Sequence, residues 1–519
     1  MPKLTIDNQE VDVPGGTTIV QAARALGIDI PTLCHREGCR PETSCLVCVV
    51  RVNRRPRLLP ACATEVAEGM VVESESEEIH EARRTALELL LSEHRGDCLA
   101  PCQVICPAHL DIPAMMRLIG QGRMAEAVAL VKRRIPIPAI LGRICPAMCE
   151  RGCRRGQMDA AVSIKHLKRY VGDWDLSQER PWQPVLPPPT GRKVAVVGAG
   201  PAGLSAAYYL RRQGHETVIF ESSEQTGGGL RYGVAVEQLP ADVLEAELQG
   251  IVQLGVEVRR ATLGAGLTLA ELRRDFGAVL LAMGKISAEQ AEALGLSYAH
   301  HGLQVETDTL ETPVGGVFAC GSAVSPSQHA ARAVGGGRFA AEAIGAYLRT
   351  GEAHVERNHF NVHLGKLEPG ELAQLTADAV QTARAEAGDG LCGDEATAES
   401  ARCLHCECAG LAQCRLRHWG ARYGADTRAY GGARRQVERD LSHPYVVYEP
   451  GKCITCGLCV QVAQRAQEPL GLSFVGRGFS VRIGVPWSAS LAAGLLQTAQ
   501  ECAAACPTGA IVLAREKTE

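Results

Sequence analysis

The chain has 519 residues, with 58 acidic and 54 basic side chains, a formal net charge of -4 and only 4% aromatic residues, a balance that excludes a basic nucleic-acid surface with stacking aromatics. The start MPKLTIDNQEVDV lacks the basic and apolar segments of a secretory signal, and no run of about eighteen apolar residues is present to span a bilayer; a cytoplasmic protein with no membrane span and no nucleic-acid partner is expected. In that compartment the 22 cysteines read as metal or redox ligands and not as a disulfide scaffold.

Leu4, Ile6, Val11 and Val13 alternate around Asp7-Asn8-Gln9-Glu10, which predicts a hairpin, and residues 18–26 have helical spacing closed by Gly27. A loop then carries Cys34, Cys45 and Cys48, with Cys62 beyond a strand-like stretch, spaced C-x10-C-x2-C-x13-C. Four soft thiolates suit a 2Fe-2S cluster. The segments Leu33-Cys34-His35, Ser44-Cys45-Leu46-Val47-Cys48 and Ala61-Cys62 resemble the ferredoxin-like β-grasp domain that opens the large iron-sulfur subunit of respiratory complex I and its hydrogenase relatives. The resemblance implies such a domain over residues 1–75. Cys39 falls outside this register and reads as a spare thiol.

Residues 76–180 begin with a charged amphipathic helix pattern over 77–91. There follow His94-x3-Cys98-x3-Cys102-x3-Cys106-Pro107 and, after a helical stretch, Cys145-x3-Cys149-x3-Cys153. Six thiols in two sets supply most of the ligands for two 4Fe-4S clusters if the chain folds back on itself. The stretches 102–113, 142–155 and 162–173 resemble the helical cluster domain of glutamate synthase small subunits and dihydropyrimidine dehydrogenase. That resemblance implies Cys102 and Cys153 in one cluster, and Cys106, Cys145 and Cys149 in the other. Two departures stand out: the family has two cysteines before the Cys102 position where this chain has Cys98 and His94, and its Gln or Glu ligand is replaced by Lys168, whose ammonium has no lone pair to give. His94, four residues before Cys98, also resembles the site of one histidine and three cysteines in the complex I subunit, which implies an imidazole ligand; a surface or capping residue is the alternative.

Five prolines within residues 181–189 mark a boundary. Residues 193–197 then read as a buried strand leading into Gly198-Ala199-Gly200-Pro201-Ala202-Gly203, a helix over 204–213 and a second strand ending at Glu221. Strand, glycine turn, helix and an acidic residue about twenty positions on form a dinucleotide fingerprint in its required setting. Gly229-Leu230-Arg231, within the run 227–233, and Gly321-Ser322, closing the segment 312–323, resemble two further flavin-contacting stretches of the glutamate synthase small-subunit family. They imply an FAD-binding Rossmann-like domain over 190–350. Ser322 stands where relatives have Asp. Only residues 285–311 separate the strand 278–284 from the returning flavin segment, too few for a second nucleotide-binding domain, since one βαβ unit needs about thirty. The NAD(P)H domain is therefore expected to be missing.

Over 369–519, residues 369–402 have helical composition and are expected to pack on the flavin fold. Cys403-x2-Cys406-x-Cys408-x5-Cys414 reads as one metal site, 4Fe-4S or alternatively zinc. Cys453-x2-Cys456-x2-Cys459, closed by Cys506-Pro507, supplies four ligands for a further cubane and resembles the ferredoxin-like part of complex I and formate dehydrogenase electron-transfer subunits. Cys502 is left as an extra thiol, and the isolated Cys320 and Cys392 read by default as buried structural thiols.

A multi-domain α/β chain is thus expected: a β-grasp ferredoxin, a helical 4Fe-4S domain, a truncated Rossmann-like FAD domain and a C-terminal ferredoxin-like domain. It would hold one 2Fe-2S cluster, three or four 4Fe-4S clusters and FAD. The resemblances imply an electron-transfer subunit of a multi-subunit hydrogenase or formate dehydrogenase, electron-bifurcating types included. A partner would bind NAD(P) and FMN, another would carry the catalytic site, and ferredoxin is a further candidate. No catalytic residue is assigned in this chain. The alternatives are a free-standing FAD-dependent oxidoreductase acting on ferredoxin or a small acceptor, and a cluster scaffold with a vestigial flavin fold.

Overall fold

The structure is a computed structural model that describes residues 1–514 apart from 327–328, 356–359, 369, 387 and 433. Lys3–Ile6 and Gln9–Asp12 form the expected hairpin, turning through Asp7 and Asn8 at φ 44° and 67°, the left-handed region that small polar residues tolerate. Lys3–Ile6 also runs parallel to Met70–Glu73, which pairs antiparallel with Val49–Val52, and that strand pairs with Leu58–Pro60. The helix Ile19–Ala25 buries Ile19, Val20, Ala22 and Ala23 in the core of this mixed five-stranded sheet.

Residues 193–350 contain five parallel strands in the order Val317–Ala319, Ala278–Leu281, Lys193–Val197, Glu216–Glu221, Glu257–Arg260. The four residues of Ala278–Leu281 are all buried, as an apolar run in a sheet covered on both faces requires. The helices Pro201–Arg212 and Ala330–Thr350 pack against each other, and the helices Ile112–Gly120, Met124–Lys132, Pro138–Ile144 and Ile164–Leu176 share the same core. Glycines bring two of these backbones together: a Cβ on Gly142 would lie 2.4 Å from Arg169 Cα, and one on Gly172 would lie 2.4 Å from Ala139 N. Between 285 and 311 the described elements are one helix, Ala288–Ala293, and the two-residue strands Tyr298–Ala299 and Gly302–Leu303.

At the C-terminus Val446–Tyr448 pairs antiparallel with Ile511–Leu513, and the helices Leu458–Arg465 and Ala499–Ala505 pack together. Their core includes Leu33, Val47, Leu87, Leu91, Cys98 and Val362. The helix Glu77–Ser92 therefore belongs here and not with the cluster helices that follow it. Its fully buried Arg83 donates to Val49 O at 2.9 and 3.2 Å and to Tyr423 Oη at 2.8 Å. Residues up to about 98 and from about 408 onward thus close into one body that also takes in Val362 and Glu371, and most of the polypeptide between them is inserted into it.

Residues 369–402 differ from expectation. Among the described residues only Glu371–Leu375 and Gly393–Ala401 are helical, and the latter packs on Ile112–Gly120 and Ile164–Leu176, the cluster helices. Buried charged side chains satisfy the backbone between them in place of helical bonds: Arg155 donates to Val380 O, Arg402 to Thr382 O, and Glu399 accepts from Ala385 N. Cys392 is exposed, contrary to the buried reading, and precedes the helix Gly393–Ala401. No helix among the described residues is long and apolar enough to cross a membrane.

Candidate iron-sulfur and dinucleotide sites

The cysteines gather into five groups. In the first, Cys34, Cys45, Cys48 and Cys62 are buried together, with Cys34 Sγ and Cys45 Sγ 3.3 Å apart. Hydrogen bonds from Cys45 and Cys62 drive the Cys34 thiol well down, one from Cys62 lowers Cys48, and Cys62 itself is pushed up. Leu46 takes a left-handed φ of 53° between Cys45 and Val47, so the loop turns sharply between two thiols. Cys39 lies beside the Arg465 guanidinium, 3.9 Å away.

Cys453, Cys456, Cys459 and Cys506 line an enclosed apolar cavity with Tyr448, Ile483 and Ile511. Thr455 and Gly457 are left-handed, φ 51° and 75°, and Thr455 N donates to Cys453 Sγ at 3.3 Å, the inward-facing amide arrangement that suits an anionic cluster. Burial, followed by contributions that include neighbouring thiols, pushes Cys453 up to about 11 and raises Cys456 and Cys459. Thiols held this way resist ionising alone, and the positive irons of a cluster are the compensation they need. Cys502 is buried behind them, its thiol 3.6 Å from Cys459 O.

The expected single site at Cys403, Cys406, Cys408 and Cys414 is divided. Burial and then the charges of Cys403, Cys153, Cys406 and Cys149 raise the Cys102 thiol. Cys403 and Cys406 therefore join Cys102 and Cys153. Cys408 and Cys414 turn instead to Cys98: Cys408 N donates to Cys98 O at 3.2 Å, and Cys414 is pushed up to about 12 by burial with Cys408, Cys98 and Cys506 as neighbours. Within the first pair the chain turns at His405, φ 45°.

His94 is buried, and its Nδ1 has no hydrogen-bond partner while the ring bonds to the Lys452 backbone. Burial, then Lys452, lowers it to about 4, so the imidazole is neutral at pH 7 with a lone pair to offer. An orphaned ring nitrogen opposite a backbone bond is the pattern of a metal-ligating histidine. The buried Lys452 ammonium faces His94, Cys98 and Cys408 alike; sequence spacing had not marked it, although it immediately precedes Cys453. The geometry groups His94, Cys98, Cys408 and Cys414.

Cys106, Cys145 and Cys149 form the last group. Burial pushes Cys149 up to about 12, the Lys168 ammonium opposes it, and Cys106 and Cys145 add to it. Among the described residues no three His, Cys, Asp or Glu side chains close tightly enough to hold a bare metal ion.

In the nucleotide fold the glycine turn, residues 227–229 and Gly321 converge. A Cβ on Gly203 would lie 1.9 Å from Gly198 O, one on Gly228 3.0 Å from Gly200 Cα, and one on Gly321 2.9 Å from Ala202 Cβ. Glycine alone permits these approaches. The helix Pro201–Arg212 starts at this turn, presenting free N–H groups for a pyrophosphate. Glu221 accepts from Ala199 N at 2.6 Å and Ser223 N at 2.8 Å, which fixes its carboxylate beside the turn. Leu230 is buried. Arg231, expected to contact the flavin, instead bonds Thr226 O at 2.7 Å and pairs with Glu245 at 2.5 Å.

Residues 2–77 match the family model of a 2Fe-2S iron-sulfur cluster binding domain, residues 64–180 that of dihydropyrimidine dehydrogenase domain II, 4Fe-4S cluster, and residues 196–246 that of an NAD(P)-binding Rossmann-like domain. The NADP(+)-dependent formate dehydrogenase subunit beta of Moorella thermoacetica is 40% identical over 207 residues, 36% of this chain and 29% of that protein. The NADPH-Fe(3+) oxidoreductase subunit beta of Geobacter sulfurreducens is 39% identical over 202 residues, 38% of this chain and 29% of that protein. The glutamate synthase [NADPH] small chain of Bacillus subtilis is 35% identical over 210 residues, 39% and 42% of the two chains. The match thus spans less than half the length of each of these relatives. The chain is a relative of iron-sulfur oxidoreductase subunits, joining a 2Fe-2S domain, a dihydropyrimidine-dehydrogenase-type 4Fe-4S domain and a Rossmann-like nucleotide fold in one polypeptide.

Proposed function

We propose that this protein is an iron-sulfur flavoprotein electron-transfer subunit of a multi-subunit oxidoreductase. The observation that carries this reading is that the five groups abut in series. Cys456 is an electrostatic neighbour of Cys34, Cys414 of Cys506, and Cys102 of Cys149, while Cys406 and Cys408 connect the remaining pair of groups along the chain. At the far end a Cβ on Gly335, in the helix Ala330–Thr350, would lie 2.3 Å from Pro107 O, so the Cys106 loop touches the nucleotide fold.

Cys34, Cys45, Cys48 and Cys62 would hold a 2Fe-2S cluster. The sets Cys453/Cys456/Cys459/Cys506, His94/Cys98/Cys408/Cys414, Cys102/Cys153/Cys403/Cys406 and Cys106/Cys145/Cys149 would each hold a 4Fe-4S cluster. Bound clusters carry single electrons, and a bound flavin exchanges pairs for singles. Gly198, Gly200, Gly203, Gly229 and Gly321 would line FAD, with Glu221 fixing the turn and Ser322 in the place of the relatives' Asp. The shortness of 285–311 supports leaving nicotinamide chemistry to a NAD(P)-binding partner, and the terminal reaction would fall to a hydrogenase- or formate-dehydrogenase-type subunit. The chain's own side chains bury the thiols, exclude water and set the local charge.

Anaerobic purification of the full chain with iron, sulfide and released flavin quantified tests this. About one FAD and about eighteen irons per chain are expected. Flavin near zero with full iron refutes the flavin assignment, and fewer than about ten irons refutes the five-site series.

A further inference from the structure

Four of the five groups present four donors; the group at Cys106, Cys145 and Cys149 presents three. Glu150, a carboxylate neighbour of Cys149, is committed elsewhere: it accepts from Lys165 N at 2.9 Å and from Arg384 Nη2 at 2.8 Å. What faces the thiols is Lys168, on the helix Ile164–Leu176, 5% exposed and acting on Cys149 through its charge. No hydrogen bond or ion pair of Lys168 is seen among the described residues, and the thiol group is the charged neighbour on which its ammonium acts. Its position is rigid. The helix Pro138–Ile144, which ends at Cys145, crosses its own helix at the Gly142–Arg169 and Ala139–Gly172 contacts. Cys106 and Cys145 are half-buried, so water reaches this corner.

We infer that Cys106, Cys145 and Cys149 hold a cubane through three irons only, with Lys168 supplying positive charge at the fourth corner and an exchangeable small ligand from solvent completing the fourth iron. This rests on the proposed function in assuming a cluster at the site. A lysine ammonium cannot donate to iron, but it replaces an anionic ligand with a cation. Less negative charge around a cluster raises its reduction potential, so this cluster, beside the nucleotide fold, would be reduced more easily than the two held by four thiolates. The fourth iron is also the labile one.

The test uses the anaerobically purified full chain, treated with ferricyanide in the presence of EDTA. One Fe2+ leaves to the chelator and one electron passes to ferricyanide, converting a four-iron 2+ core into a three-iron 1+ core. Wild type is expected to lose about one iron per chain and to gain the spin-half signal of an oxidised three-iron cluster. Lys168→Cys is expected to keep its iron and show no such signal. Lys168→Met, which removes the charge without adding a strong ligand, is expected to behave as wild type in iron loss with a lowered midpoint potential at this cluster. Full iron retention by wild type, or iron loss by Lys168→Cys equal to that of wild type, overturns the inference. Cys149→Ser separates the two levels: iron and sulfide unchanged in that variant mean that no cluster is held here, and the failure then lies in the assumed site and not in the role of Lys168.

Discussion

Replacing Asp97 with alanine should be among the most damaging single changes outside the cysteines. Asp97 is 2% exposed, and its Oδ2 accepts from Arg154 Nε at 3.0 Å and Nη2 at 2.5 Å, while Oδ1 accepts from Leu364 N at 2.9 Å. Arg154 is itself 6% exposed, so truncation leaves a guanidinium buried without its counter-ion, a loss of about 3–5 kcal/mol. That is a large part of the ~5–15 kcal/mol that separates a folded domain from its unfolded chain. Asp97 precedes Cys98 and Arg154 follows Cys153, so the pair clamps the loops of two different cysteine groups. Urea unfolding followed by fluorescence and cluster absorbance should show a lower midpoint with an unchanged slope, and both groups should lose iron together. Asp97→Leu combined with Arg154→Met, an apolar replacement of similar volume, should recover most of the loss. A cost below about 1 kcal/mol for Asp97→Ala, or a double variant worse than the single, refutes the reasoning.

Three other outcomes follow from the geometry. Cys406→Ser and Cys408→Ser, two residues apart, should abolish different EPR signals, the first matching Cys102→Ser and the second matching Cys98→Ser; identical losses would restore a single Cys403–Cys414 site. Gly203→Ala places a methyl 1.9 Å from Gly198 O, an overpacking of about 1–3 kcal/mol that should weaken flavin binding about ten- to hundredfold with iron retained, as released flavin will report. Glu247, which accepts from Ala139 N and Ile140 N at 2.8 and 2.7 Å, is pushed by burial from 4.5 up to about 7. The folded state therefore holds a proton that the unfolded chain has released, so stability is highest below about pH 4.5 and falls by about 3 kcal/mol as pH rises to 7. Denaturation across that window should lose this component in Glu247→Gln, and an unchanged slope in the variant would count against it.

What could be read from the sequence was whatever a short stretch decides. The turn at Asp7-Asn8, the strand-turn-helix from Lys193 through Gly203, and the Cys453 loop each carry their reasons within a few residues, because φ, glycine clearance and tight ligand spacing are local properties. Cys506 was also found, because its proline marks it. The partition of Cys403, Cys406, Cys408 and Cys414 was not legible, since spacing cannot tell which distant loop a thiol will meet; Cys102 and Cys153 lie some 250 to 300 positions earlier. The misread helix in 376–392 failed for the same reason. Alanine-rich composition favoured helix, but Arg155, Arg402 and Glu399 supply the extended chain with hydrogen bonds from outside the segment. Arg231 was placed by resemblance and taken from the site by Glu245, fourteen residues on.

The insertion of the middle of the polypeptide into a body built from its two ends sets an order of biogenesis. A ribosome completes the thiol set of Cys34–Cys62 first and that of Cys106–Cys149 second, and these are the two extremes of the series. The sets containing Cys406, Cys414 and Cys506 are finished afterwards, in that order, and they fill the interval between. On the proposed reading, a product truncated before Cys506 would lack the set that joins Cys34–Cys62 to the rest of the series.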